Sequence, residues 1–227
     1  MEQLNGAQKV VRVLVDHGVS RIFGYTGAAV TDIYNVLYDS PKLHHTLARH
    51  EQGAVHMADG YARATGEVGV AIVTSGPGAT NTVTALATAY GDSIPLVLIT
   101  GQVSTDLIGT EAFQEVDTMG VTRPVVKYSF LCKKPEVIAR NLRKAFYFAS
   151  TGRPGPVVLD FAKDAQVGLV DFEYEKVDYI RSYQPEPDIK MERIKEAAAL
   201  INGASKPFCL VGQGVILGNA EEELKEF

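Results

Sequence analysis

Gly69-Val70-Ala71-Ile72-Val73-Thr74 runs without interruption into Ser75-Gly76-Pro77-Gly78-Ala79-Thr80-Asn81. The first run is apolar throughout, the pattern of a central strand buried on both faces rather than of a strand with one wet side. The glycine turn that follows hands a strand over to a helix, the place where α/β folds bind phosphate on backbone N–H groups. Taken alone it could be a phosphate loop, yet it has neither the Lys-Ser/Thr of a P-loop nor the three-glycine dinucleotide spacing. Two further runs repeat the buried-strand pattern, Pro95-Leu96-Val97-Leu98-Ile99-Thr100 and Pro156-Val157-Val158-Leu159-Asp160, with helical segments between them over about 79–90 and 136–150. Such alternation marks a parallel sheet covered by helices on both sides. The fold class expected is therefore α/β, a doubly wound parallel sheet.

Working outward, a first helix reads from Asn5 to His17, with Val10, Val11, Leu14 and Val15 on its inner stripe and Gly18 as its stop. A strand follows over 21–25, Gly27 permits a tight turn, and a helix over 30–38 turns Ile33, Val36 and Leu37 inward. A short strand is expected near 43–47. From Gly101 to about Pro124 there is no clear element, and connections of that length in compact domains are usually functional or disordered. Acidic residues and the prolines Pro185 and Pro187 make 171–188 read as a linker. Beyond it come a helix over 191–201, a strand over 207–211, and Asn219 as N-cap of a helix that opens with Glu221, Glu222 and Glu223. The domain boundaries expected are 1–170, a linker 171–188, and the start of a second α/β domain over 189–227. One strand and two helices cannot close a core, so the sequence is expected to be a fragment of a longer protein.

The 227 residues, 46% of them hydrophobic, suffice to bury a full core. A net charge of -5 with scattered Lys and Arg disfavours nucleic acid. Cys132 and Cys209 stand in apolar or strand-like settings without metal-ligand spacing and read as reduced and structural. No apolar run of about 18 residues is present, and Met1 leads at once into an amphipathic pattern, so no membrane span or signal segment is expected and a cytoplasmic location follows.

Glu51 stands out chemically. Glu51, Val55, Ala58 and Ala62 recur at helical spacing, which turns the acid inward with three small or apolar side chains. A buried carboxylate costs stability unless a neighbour satisfies it or a ligand does; the plainer explanation is an acid favoured by the dipole at a helix N-terminus. The company it keeps decides between them: His50-Glu51-Gln52-Gly53, then Ser75-Gly76-Pro77-Gly78-Ala79-Thr80-Asn81, then Phe113-Gln114-Glu115-Val116-Asp117. In these motifs, their order and their spacing, the chain resembles the N-terminal, pyrimidine-binding domain of thiamine-diphosphate enzymes, and specifically the large catalytic subunit of acetolactate synthases.

The resemblance implies a transferase that decarboxylates pyruvate and condenses the hydroxyethyl carbanion with a second 2-keto acid, pyruvate or 2-ketobutyrate, at the entry to branched-chain amino-acid synthesis. It makes Glu51 the acid that protonates the cofactor's pyrimidine nitrogen and so lets its amino group act as base. His50 and His56 are weaker candidates for a base. The resemblance also implies cofactor contacts at Gly76, Pro77 and Asn81, substrate contacts at Phe113, Gln114 and Lys163, and an FAD contact at Arg153. Mg²⁺ is expected with the diphosphate on a Gly-Asp-Gly motif that this sequence lacks, so no metal ligand is expected here. Homodimers or homotetramers are implied, because the cofactor bridges two subunits, as is a regulatory small subunit; the 227 residues alone are expected to be inactive. The pattern is broken at Tyr25-Thr26-Gly27-Ala28-Ala29, where Tyr-Pro-Gly-Gly-Ala is common, and at Ala162, where a proline is usual. Alternatives are a related pyruvate oxidase, 2-keto-acid decarboxylase or sulfoacetaldehyde acetyltransferase, or a non-catalytic module that dimerises or binds a nucleotide.

Overall fold

The computed structural model describes residues 2–173 and 175–227, in two units divided between Pro185 and Glu186. The first unit is built on a parallel sheet of six strands: β2 (Arg21–Gly24), β3 (His44–Leu47), β4 (Gly69–Val73), β5 (Leu96–Gln102), β6 (Tyr128–Cys132) and β7 (Pro156–Ala162), in the spatial order β3-β2-β4-β5-β7-β6. Successive residues of the central strands serve opposite cores. Val70, Ile72, Val97 and Ile99 pack with α1 (Gly6–Asp16), α2 (Thr31–Tyr38) and α7 (Pro135–Ser150) on one face. Ala71, Val73, Leu96 and Leu98 pack with α3 (Glu51–Thr65) and α5 (Val83–Gly91) on the other. This is why the strands read as unbroken apolar runs: each face has a helix layer to bury against, and each fully buried Val, Leu or Ile contributes about 1.5–3 kcal/mol.

The chain leaves β2 for the outer strand β3 and returns to the other side of β2 as β4, so the winding reverses between β2 and β4. In open α/β sheets a crevice opens outside the carboxyl ends of the strands at such a reversal. The loops after β2, β3 and β4 all meet there.

Several elements depart from the sequence reading. The helix expected over 79–90 starts earlier, with Pro77 in its first turn, and breaks into α4 (Pro77–Thr80) and α5. The Thr82 hydroxyl donates to Ala79 O at 2.6 Å at the break, and the Asn81 side chain is used elsewhere. The edge strand β6, which pairs only with β7, was not expected. Neither was the antiparallel pair of β1 (Glu2–Asn5) with β8 (Leu169–Phe172), four residues each and too short to show a period. The connection taken as featureless from Gly101 begins as the last two residues of β5 and contains α6 (Thr118–Thr122). Another short helix, α8 (Lys163–Val167), leads from β7 towards β8.

Of the stretch 171–188 read as a linker, Asp171 and Phe172 close β8, and Tyr183 is fastened to the first unit. The Lys127 ammonium donates to the carbonyls of Phe148 (2.5 Å) and Thr151 (2.6 Å) at the end of α7 and to the Tyr183 hydroxyl (2.8 Å). Tyr183 also packs edge-on against Phe148, with ring centroids 4.8 Å apart.

The second unit holds α9 (Met191–Gly203), α10 (Gly214–Leu217) and α11 (Glu221–Glu226). Residues 207–211, expected as a strand, form none, since among the described residues of this unit there is no neighbouring strand to take up its backbone hydrogen bonds. Asn219 has a φ of +48°, and the residue before the first turn of α11 is Ala220, so the expected N-cap is displaced by one.

Candidate active site

His50 ends the β3–α3 connection in extended conformation, and its Nδ1 accepts the Gln52 amide at 3.2 Å. This ring is a helix cap, which accounts for its place beside Glu51 without any part as a base. His56 lies further along α3 and is half-buried. The next residue after the cap, Glu51, is 8% exposed and points to the switch crevice. Its Oε2 accepts from the Asn81 amide at 2.9 Å, across 30 residues of sequence. Asn81 can reach it because it follows α4 directly, at the point where the helix breaks.

Gly78 clears the space beside the other oxygen. A Cβ there would lie 3.3 Å from Glu51 Oε1 and 2.6 Å from Thr74 Cγ2. Thr74 is a wedge between two glycine turns, since its side chain also fills the place of a Cβ on Gly27, and its hydroxyl takes the Ala29 amide at 3.4 Å. Gly76 has φ +55° and ψ −117°, and a Cβ on it would strike the Gln114 carbonyl. Only glycine joins that backbone to so close an approach. The exposed ring of Pro77 fixes the first turn of α4.

The Gln114 carbonyl belongs to a loop that wraps over the crevice. Glu111 and Gln114 both have positive φ, 60° and 56°, and the Glu115 carboxylate holds the turn by accepting the amides of Gly109 and Ala112. Those backbone donors, Gly109 first, keep the Glu115 carboxyl below the usual carboxylate range. Beside the loop lies a cavity of about 220 Å³ whose walls include Ala28, Ser75, Phe113, Gln114 and Lys163. Phe113 is 85% exposed at its mouth. The Lys163 ammonium donates to Ala28 O at 3.0 Å and pairs with Asp32 at 2.5 Å, so its charge is fixed at the rim.

Seven of the residues singled out from sequence thus gather at the carboxyl edge of the sheet: Glu51, Gly76, Pro77 and Asn81 at the reversal, and Phe113, Gln114 and Lys163 around the neighbouring cavity. Arg153 does not join them. It precedes β7 at the amino edge, donates to Ser93 Oγ at 2.8 Å and to Gly91 O at 3.4 Å, and stacks near Tyr90.

Sequence reasoning passed over Gln102, buried at the end of β5, and Asp160, buried within β7 opposite Thr100. Asp160 accepts from the Thr100 hydroxyl (2.7 Å) and the Gln102 amide (2.9 Å). Burial pushes its carboxyl up to about 7, against the pull of those two donors. The available signal was an acid inside an otherwise apolar run, Val157 to Ala162. The Cys132 thiol, buried and pushed up to about 12, is chemically quiet. Among the described residues no three His, Cys, Asp or Glu side chains gather as a metal site, and no helix is long and apolar enough to cross a membrane.

A buried acid, held by one oxygen and set against a glycine turn with the other at the switch point of a doubly wound sheet, is the arrangement of a cofactor-binding enzyme domain. Residues 4–121 match the family described as thiamine pyrophosphate enzyme, N-terminal TPP binding domain, and the chain belongs to that family. Over its whole length it is 52% identical to the acetolactate synthase large subunit of Haemophilus influenzae and 53% identical to the large subunit of acetolactate synthase isozyme 3 of Escherichia coli, covering 40% of each. Over 97% of its length it is 50% identical to a probable acetolactate synthase large subunit of Methanocaldococcus jannaschii, covering 38% of it. The chain therefore spans about two-fifths of the length of these relatives.

Proposed function

We propose that this chain forms the pyrimidine-binding side of the active site of an acetolactate synthase large subunit, which joins pyruvate to a second 2-keto acid. The observation that carries the proposal is the Glu51 carboxyl, buried, tied to Asn81 by one oxygen and lying against Gly78 with the other. A carboxyl so placed can share a proton with a ring nitrogen brought against it. Thiamine diphosphate, when bound, supplies the carbon nucleophile that takes up pyruvate and lets carbon dioxide leave. Glu51 holds a proton at the pyrimidine nitrogen, Asn81 keeps the carboxyl turned toward it, and the glycines at 76 and 78 let backbone approach where side chains would intrude. Lys163, its charge paired with Asp32, lines the rim of the adjacent cavity with Phe113 and Gln114, where the keto acid would be met.

The diphosphate and its Mg²⁺ are assigned to another part of the protein, from a second subunit, which makes a homodimer or homotetramer the working unit. Arg153, exposed at the amino edge, is suited only to an outer contact with FAD. A small regulatory subunit, which the large-subunit names of the relatives support, and a cytoplasmic location complete the proposal.

The test is acetolactate formation from pyruvate by the full-length parent with thiamine diphosphate, Mg²⁺ and FAD, beside its Glu51→Gln variant. Product from the parent and a loss on the order of a hundredfold or more in the variant is expected. A folded, cofactor-binding parent that makes no acetolactate moves the function to another thiamine-diphosphate reaction. Undiminished activity in the variant removes Glu51 from the chemistry.

A further inference from the structure

We infer that Gln102 and Asp160 are positioning residues for the loop that carries Phe113 and Gln114, acting as one clamp that pins both ends of that loop to the sheet. The Gln102 side chain, 2% exposed, spends its amide on the two ends: Oε1 accepts the Val103 amide at 2.9 Å, and Nε2 donates to the Val116 carbonyl at 2.9 Å. The remaining Nε2 hydrogen goes to Asp160 Oδ2, also at 2.9 Å. The backbone decides which way the amide faces: the Val103 N–H can only donate and the Val116 carbonyl can only accept, so Oε1 turns to the first and Nε2 to the second. The second Nε2 hydrogen is then aimed at Asp160, whose other oxygen is paired with the Thr100 hydroxyl. One buried side chain therefore closes a loop of a dozen residues whose ends lie on different elements.

The loop has few other ties to the sheet. Thr105 donates to Asp164 at 3.0 Å from both its amide and its hydroxyl, while Glu115 binds only within the loop. The clamp itself forms part of the wall of the cavity lined by Phe113, Gln114 and Lys163. A second hollow of about 300 Å³ lies between the clamp and residues 115–119. With that hollow on its inner side, the loop's placement depends on the Gln102 bonds together with the Thr105 contacts, the Glu115 turn and the packing of Ile108 on the core. Small misplacements of positioning groups cost rate out of proportion to stability. This deepens the proposed function, since the loop is where the keto acid would be met.

The experiment compares the full-length enzyme with Gln102→Leu and with Asp160→Leu, which keeps a branched side chain of similar shape but removes the acceptor for the second Gln102 Nε2 hydrogen. We expect KM for pyruvate to rise about tenfold in both, with kcat changed less and the half-saturating thiamine diphosphate concentration unmoved. The double variant should be no worse than Gln102→Leu alone, because both remove the same clamp. Unchanged KM in folded variants, or losses in kcat and cofactor binding that merely track a lower Tm, overturns the clamp. Hydrogen exchange of the wild-type parent gives a readout that needs neither activity nor a folded variant: the Val103 amide should be protected, and rapid exchange there also overturns it. A parent that makes no acetolactate but protects Val103 would fail the proposed function while leaving the clamp standing.

Discussion

The two halves of the crevice are built on different principles. The Glu51 half rests on regular elements: a capped helix start, a strand-to-helix handover and two glycine turns wedged by Thr74. The Phe113 half is irregular backbone with two non-glycine residues at positive φ, held by the side chains of Glu115, Gln102 and Thr105. The first arrangement is stiff because moving Glu51 would move a helix packed on the sheet. The second can shift by breaking a few hydrogen bonds, each contributing about 0.5–1.5 kcal/mol net. A fixed group for the cofactor and an adjustable surface for the substrate is the division of labour that follows.

The strongest way to break this contrast is Glu51→Gln, which should cost turnover on the order of a hundredfold or more while leaving the melting temperature near that of the parent, because the amide can still meet Asn81. Gly76→Ala tests the seam between the halves. It forces a side chain into a positive-φ position against the Gln114 carbonyl and should lower stability by about 1–3 kcal/mol in denaturant melts, and raise KM as well. Phe113→Ala belongs wholly to the adjustable side. With the ring 85% exposed, unfolding should change by less than about 0.5 kcal/mol, while KM for pyruvate rises; a stability loss without a KM effect would make the ring a structural pin.

A separate effect is expected in pH. Because the folded state raises the Asp160 carboxyl to about 7, the folded chain holds a proton there that the unfolded chain releases near 4. The stabilisation this proton brings is complete below about 4 and fades as pH rises through about 7. Urea melts across that range should therefore flatten in Asp160→Asn relative to the parent.

What could be read from sequence follows the same division. Central strands were legible because burial on both faces leaves no polar residue to confuse the period, and Glu51 was legible because helical spacing put an acid among Val55, Ala58 and Ala62. The bond from Asn81 to Glu51 was not, since it depends on α4 ending one residue before Asn81. Gln102 and Asp160 meet across 58 residues, and nothing local to either marks the other. The edge strand β6 escaped because its residues Tyr128 and Ser129 offer no buried alternation, with pairing on one side only. Tyr183 sat in a stretch whose prolines and charges looked like solvent, and the lysine that fastens it lies 56 residues earlier. Local pattern thus carries what regular elements decide, while contacts made by single side chains over long separations have to be seen.

The pairing of β1 with β8 has a mechanical consequence. Glu2 lies opposite Phe172, with Asn5 and Leu169 at the inner end of the ladder. A pull from beyond Tyr183 first meets its bonds to Lys127 and Thr151; once these give way, tension across Glu2 and Phe172 loads the outermost pair and opens the ladder rung by rung, like a zip, without shearing the six-stranded sheet.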